Sequence, residues 1–145
     1  MRAADAIDWV VPPTCAFDPE MGAYGRWFPD ATCNTCWNAV DRHVEAGHGA
    51  RQAVVYDSPV TGTVADFSFA DLQSEVSALA AVMRDHGVGK GDRVVIYLPM
   101  VPQALFAMLA CARLGAVHSV VFGGFAAHEL ATRISDAAAK MVISA

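Results

Sequence analysis

Three consecutive segments decide the fold: Arg93-Val-Val-Ile-Tyr-Leu98, then Pro102 to Leu114, then Val117-His-Ser-Val-Val121. The first is a β-branched run with no alternating polar face, which suits a strand buried on both sides. Pro102 fits the first turn of a helix, where a missing N–H costs nothing. Leu105, Phe106, Met108, Leu109 and Cys111 then place apolar groups nearly all round that helix, so it is expected to be enclosed. Gly115 closes it and Val117–Val121 reads as the next strand. Phe122-Gly123-Gly124-Phe125 forms a tight loop, a helix follows from about Ala126 to Ala138, and Lys140–Ser144 begins a third strand. Strand, helix, strand, helix, strand with short connections implies right-handed parallel crossovers. The expected fold is therefore α/β, the N-terminal part of a doubly wound parallel-sheet subdomain.

Upstream, Ser68 and Asp71 make a capping box for a helix whose buried stripe is Leu72, Val76, Leu79 and Met83, with Gly87 as its end. Gln52–Asp57 and Thr63–Phe67 read as two strands around the turn Ser58–Thr63. A helix is expected from about Thr35 to Ala46, capped by Asn34 and closed by Gly47. Before it, Pro12, Pro13, Pro19, Pro29, Gly22 and Gly25 break up an irregular stretch. That stretch still carries Trp9, Phe17, Tyr24, Trp27 and Phe28. Disordered tails are poor in aromatics, so residues 1–34 read as an ordered arm pinned to a surface by its rings. Residues 35–145 then form the α/β unit.

The 145 residues allow one ordinary domain or a piece of a larger one. They are 54% hydrophobic and 17% charged, against a usual ~25% charged. Part of that apolar surface expects a covering partner. A net charge of −5 argues against a nucleic-acid binder. The longest apolar run, Ala104–Ala112, is far short of the ~18 residues that span a bilayer. Asp5 and Asp8 spoil a secretory signal, and four cysteines make no disulfide scaffold, so a cytoplasmic location is the expectation. The last strand has no covering helix after it, which reads as the front of a longer protein.

Several motifs invite chemistry. Cys33-x-x-Cys36 lacks a second paired spacing to complete the ~4 ligands of a zinc site, so packing cysteines are expected, with redox and metal roles as alternatives. Gly87-Val-Gly-Lys-Gly91 precedes a strand and has no hydroxyl after its lysine, so it reads as a helix-to-strand connection, not a phosphate loop. Ser58–Thr63 is read as a hairpin turn, and His118 as a satisfied histidine inside the sheet. Asp41, Arg42 and His43 are read as a solvated, ion-paired helix end, and Glu129 with Arg133 as an i, i+4 surface pair. Phe122–Phe125 stands apart. It lies at the carboxyl end of a parallel strand, where open α/β sheets bind ligands. Its glycines admit a ligand to the backbone, two phenylalanines are placed to flank a flat ring, and the next helix N-terminus favours anions. A ligand site and a plain tight turn both fit.

Leu98-Pro-Met-Val-Pro-Gln103 and Ala107-Met-Leu-Ala-Cys-Ala-Arg-Leu-Gly-Ala-Val-His-Ser-Val-Val-Phe-Gly-Gly-Phe125 resemble the acetyl- and propionyl-CoA synthetase branch of the AMP-forming acyl-CoA ligases. Phe67–Leu72, leading to Gly87–Val94, is similar to the first conserved region of that superfamily. Trp27–His43 and Tyr56–Thr63 look more like the propionyl than the acetyl enzymes. The resemblance implies ATP, Mg²⁺ and CoA as cofactors and cosubstrates and a short-chain carboxylate as substrate. Acyl-AMP and pyrophosphate would form first, and the CoA thiol would then displace AMP. It also implies that Phe122, Gly123 and Gly124 line the pocket for the adenine-nucleotide end of CoA. No catalytic residue and no metal ligand carries over, because the family's phosphate loop and lysine-bearing lid match nothing in this sequence. A segment inactive alone is the expectation, or else a non-enzymatic remnant or subunit that pairs with a separate chain bearing the rest of the ligase.

Overall fold

The structure is a computed structural model and describes residues 4–145. The arm is ordered, as expected. It holds a two-residue ladder, β1 (Phe17–Asp18) against β2 (Arg26–Trp27), and a bridge from Val11 to Thr32. Its rings pack on one another: Phe17 on Trp27 at 4.9 Å, and Trp9 on Phe28 at 5.2 Å between centroids. They do not pin the arm to the core, however. Tyr24 is 95% exposed and Trp27 68% exposed. The arm is tied down instead by polar contacts at its two ends. Asn38 exchanges hydrogen bonds with the Asp8 backbone, and the Asn34 side chain donates to the Arg113 carbonyl at 3.0 Å.

Asn34 caps the following helix as expected, its side-chain oxygen accepting from the Trp37 N–H at 3.0 Å. The helix itself is wound wider than an α-helix, in two π-helical stretches, Trp37–Asp41 and Val44–His48. The Asn38 side-chain amide donates to the Asn34 carbonyl and Arg42 reaches back to Asn38, and such side-chain intrusion widens a turn. Gly47, at φ +80°, is left-handed, as expected of it, but it kinks the second stretch from within, and Gly49 is the cap.

β3 (Gln52–Ser58) and β4 (Thr63–Ser68) form the expected antiparallel hairpin. α1 (Phe69–Asp85) begins at the Ser68–Asp71 capping box, with both reciprocal hydrogen bonds present. Its buried stripe is Leu72, Val76, Ala80 and Met83. β5 (Arg93–Leu98), α2 (Pro102–Leu114), β6 (Val117–Phe122), α3 (Ala127–Ala137) and β7 (Met141–Ser144) complete the chain. The sheet order is β6-β5-β7, all parallel, so the chain steps one way from β5 to β6 and then returns past β5 to β7. With right-handed crossovers this puts α2 and α3 on opposite faces, the doubly wound arrangement. Burial on β5 agrees. Val94, Ile96 and Leu98 join the cluster beneath α1 and α2, while Val95, on the other face, is also fully buried. The enclosure expected of α2 is only partial: Phe106, Ala107, Ala110 and Cys111 are buried, but Leu105, Met108 and Leu109 are half-buried, since no described element covers that side. No helix of the described residues is long and apolar enough to cross a membrane.

Polar side chains tie these layers together. Arg93, at the start of β5, donates to the Ala137 and Ala138 carbonyls at 3.0 Å each, satisfying the end of α3. The Gly87–Gly91 stretch is the expected connection. Asp92 accepts from the Gly89 N–H at 2.8 Å and from Lys140 Nζ at 2.9 Å, joining it to β7. Ser58–Thr63 is likewise a turn, closed by Gly62 donating to the Ser58 carbonyl.

Two outcomes follow. The Lys140 hydrogen bond, then the Gly89 amide, hold the Asp92 carboxyl below its ordinary 3.8. A depressed carboxylate contributes stability above the unfolded-state value and loses it as pH falls through the folded one. Asp92→Asn is expected to unfold at lower urea concentration at pH 7 and to show a shallower loss of stability below pH ~4. Cysteine reactivity is set by burial. Desolvation pushes the Cys111 thiol up to about 11 and raises that of Cys36, whereas Cys33 is exposed. Alkylation of the native chain, read by peptide mass, should modify Cys33 and spare Cys36 and Cys111 until denaturant is added.

Candidate functional site

The connections leaving β5 and β6 diverge to opposite faces, and such a divergence opens a crevice at the carboxyl ends of the strands. A cleft of about 590 Å³ lies there, lined by Leu98 at the end of β5 and Pro99 and Met100 after it, by Phe122 at the end of β6 and Phe125 after it, and by Arg133 of α3. Of the three residues expected to bind, Phe122 lines this cleft, while Gly123 and Gly124 lie in the loop between Phe122 and Phe125 and do not line it; all three are exposed.

The glycine at 123 suits a close approach of two backbone segments. A Cβ there would lie 3.2 Å from the Pro99 nitrogen and 3.3 Å from the Leu98 carbonyl carbon. A Cβ at 124 would meet the Phe122 ring at 3.0 Å. Within the loop, the Phe125 N–H closes on the Phe122 carbonyl at 3.1 Å. The Gly124 N–H finds no backbone acceptor among the described residues and is open to a ligand.

Both phenylalanines line this one cleft, but they are not equally open. Phe125 has a face taken by the Arg133 guanidinium, 5.0 Å from the ring centroid, while Phe122 stays 58% exposed. Arg133 therefore stacks on an aromatic face where an ion pair with Glu129 was expected, and no Glu129–Arg133 ion pair forms among the described residues. Sequence reasoning missed both Arg133 and Tyr97 as parts of the site. The Tyr97 hydroxyl donates to the Phe125 carbonyl at 2.9 Å and lies 3.2 Å from the Gly123 carbonyl. A hydroxyl near the end of an otherwise aliphatic strand was the available signal.

The remaining candidates are structural. Cys36 is fully buried, which agrees with a packing role; Cys33 is exposed and packs nothing. Asp41, Arg42 and His43 do splay apart, but Asp41 is not solvated. It receives Arg113 at 2.5 Å and Gln73 at 2.8 Å, and Arg113 also donates to Cys36 Sγ and Ser77 Oγ. This network joins the π-helical segment to α1 and α2. Arg42 reaches the Ala6 carbonyl, and His43 lies against Phe69 at 4.8 Å. His118 is exposed, because β6 is an edge strand here; it lines a second, open groove with Lys90 and Cys33. Among the described residues no three His, Cys, Asp or Glu side chains converge.

Comparison with known proteins accords with this geometry. The family described as AMP-binding enzyme matches residues 40–145, and the family described as acetyl-coenzyme A synthetase N-terminus matches residues 1–39. The chain is 51% identical over 144 residues to acyl-CoA synthetase short-chain family member 3, mitochondrial, of Bos taurus, covering 99% of this chain and 21% of that protein. It is 49% identical over 142 residues to an acetyl-coenzyme A synthetase of Streptomyces avermitilis, covering 98% and 22%. It thus spans about a fifth of the length of these curated relatives. With its α/β unit matched almost throughout, the chain belongs to the AMP-binding enzyme family.

Proposed function

We propose that this chain is the N-terminal segment of an AMP-forming short-chain acyl-CoA ligase, and that Phe122, Gly123 and Gly124 line the pocket for the adenine-nucleotide end of CoA. One observation carries the reading: the diglycine loop stands at the divergence of β5 and β6, where backbone approach is open and Gly124 offers a free N–H. In the complete ligase a carboxylate attacks the α-phosphate of ATP, giving acyl-AMP and pyrophosphate, and the CoA thiol then expels AMP. Mg²⁺ would neutralise developing phosphate charge when bound. This segment contributes surface for CoA and a scaffold, the arm over residues 1–34 and the α/β unit over residues 35–145, and none of the groups that touch the reacting phosphorus.

The carboxylate we infer is propionate, supported by the resemblance of Trp27–His43 and Tyr56–Thr63 to the propionyl enzymes. Acetate is the second reading, favoured by the 49% identity to an acetyl-coenzyme A synthetase. A subunit that pairs with a separate ligase chain is the non-enzymatic alternative, favoured by the open cleft side of α2 and the open edges of β6 and β7. A cytoplasmic location goes with this reading.

The test uses the 145-residue chain and the complete ligase side by side. The short chain is expected to release no carboxylate-dependent pyrophosphate, while the complete ligase releases it with a higher kcat/KM for propionate than for acetate. Pyrophosphate release by the short chain would overturn the segment reading. A reversed substrate ratio would replace propionate by acetate.

A further inference from the structure

The Phe122–Phe125 loop is held from three sides. Gly123 abuts the Leu98–Pro99 backbone so closely that a Cβ would push that backbone aside by a few tenths of an ångström. The Tyr97 hydroxyl, with a single proton to give, lies between two loop carbonyls, at 2.9 Å from Phe125 O and 3.2 Å from Gly123 O. Arg133 covers the Phe125 ring at 5.0 Å and takes part in no ion pair among the described residues.

These restraints have a directional consequence. A diglycine has more backbone freedom than any other dipeptide and populates many shapes when unrestrained. The Tyr97 hydroxyl donates to the Phe125 carbonyl and lies beside that of Gly123, and so holds the peptide groups on either side of Gly124, whose N–H has no backbone acceptor among the described residues. Arg133 covers one face of Phe125, and Phe122 is the more exposed ring of the pair. One anchor comes from β5 and the other from α3, so the loop's shape is set by two elements that neither precede nor follow it directly.

We propose that Tyr97 and Arg133 are positioning residues that hold the Phe122–Phe125 loop in the form that accepts its ligand. The inference rests on the reading of that loop as part of the CoA pocket. Neither residue touches the reacting atoms. Each acts by raising the fraction of molecules in which the loop is already in its binding shape, and apparent affinity scales with that fraction.

The test combines two measurements on Tyr97→Phe, Arg133→Gln and Arg133→Lys. In the 145-residue chain, hydrogen exchange of the Phe125 amide, whose N–H closes the loop on the Phe122 carbonyl, is expected to speed up by about two- to tenfold in Tyr97→Phe and Arg133→Gln, the range set by one lost hydrogen bond. Exchange in β5 and α2 should not change, and Arg133→Lys should recover part of the effect. In the complete ligase, KM for CoA should rise by a similar factor, while carboxylate-dependent pyrophosphate exchange, which needs no CoA, keeps its rate. Gly123→Ala serves as the reference for damage to the loop itself. Unchanged loop exchange in both Tyr97→Phe and Arg133→Gln would overturn the inference. So would faster exchange with a normal CoA KM, if Gly123→Ala raised that KM. A normal CoA KM in all of these variants, Gly123→Ala included, would instead overturn the assignment of the loop to CoA.

Discussion

β5 is the strand on which everything else is assembled. Among the described residues it alone has both edges hydrogen-bonded, to β6 and to β7, and both faces buried. A parallel strand in that position must be apolar along its length and must have its neighbours supplied by crossovers. Val94, Ile96 and Leu98 therefore anchor the cluster that α1 and α2 complete, and Val95 is sealed on the other face. The polar residues of β5 lie at its edges of burial and do the joining. Arg93 satisfies the end of α3, and Tyr97 reaches the loop after β6.

The site follows from that same constraint. Once β5 is central, with α2 and α3 on opposite faces, the loops after β5 and β6 must separate, and the gap between them is the cleft. The glycines fit the same geometry, since a Cβ at Gly123 would lie only 3.2 Å from the Pro99 nitrogen and crowd the Leu98–Pro99 backbone. Fold and binding surface are thus one consequence of strand order. The network of Arg113 with Asp41, Ser77 and Cys36 plays a separate part, locking the π-helical segment and the arm behind it onto α1 and α2. Removing one member would leave its partners half-buried and unpaired, which is why such a network costs more to break than its pairwise contacts suggest.

Much of this was legible in advance where a local rule acts alone. The boundaries of β5 and α2, the capping box at Ser68 and the left-handed Gly115 each depend on neighbours within a turn or two. The readings that needed correction all involve partners distant in sequence. The arm's rings were expected to find a core and found one another instead. His118 was placed inside a sheet that has no further strand beside it, and so it is exposed. Asp41 was read as solvated, but Arg113, far along the chain, closes over it. Helical spacing pairs Arg133 with Glu129, yet its guanidinium lies over the face of Phe125, 5.0 Å from the ring centroid.

By itself the sequence determined the α/β class, the order of the elements, the identity of the diglycine loop and the resemblance that names its chemistry. Periodicity, capping and turn residues are local and survive without coordinates. Only the tertiary structure decided that β5 lies between β6 and β7, that a cleft opens beside the loop, and that Tyr97 and Arg133 hold it. Those facts depend on which side of a strand its neighbour takes, and on contacts such as Tyr97 with Phe125 that span 28 residues of chain. No spacing within a single element encodes them.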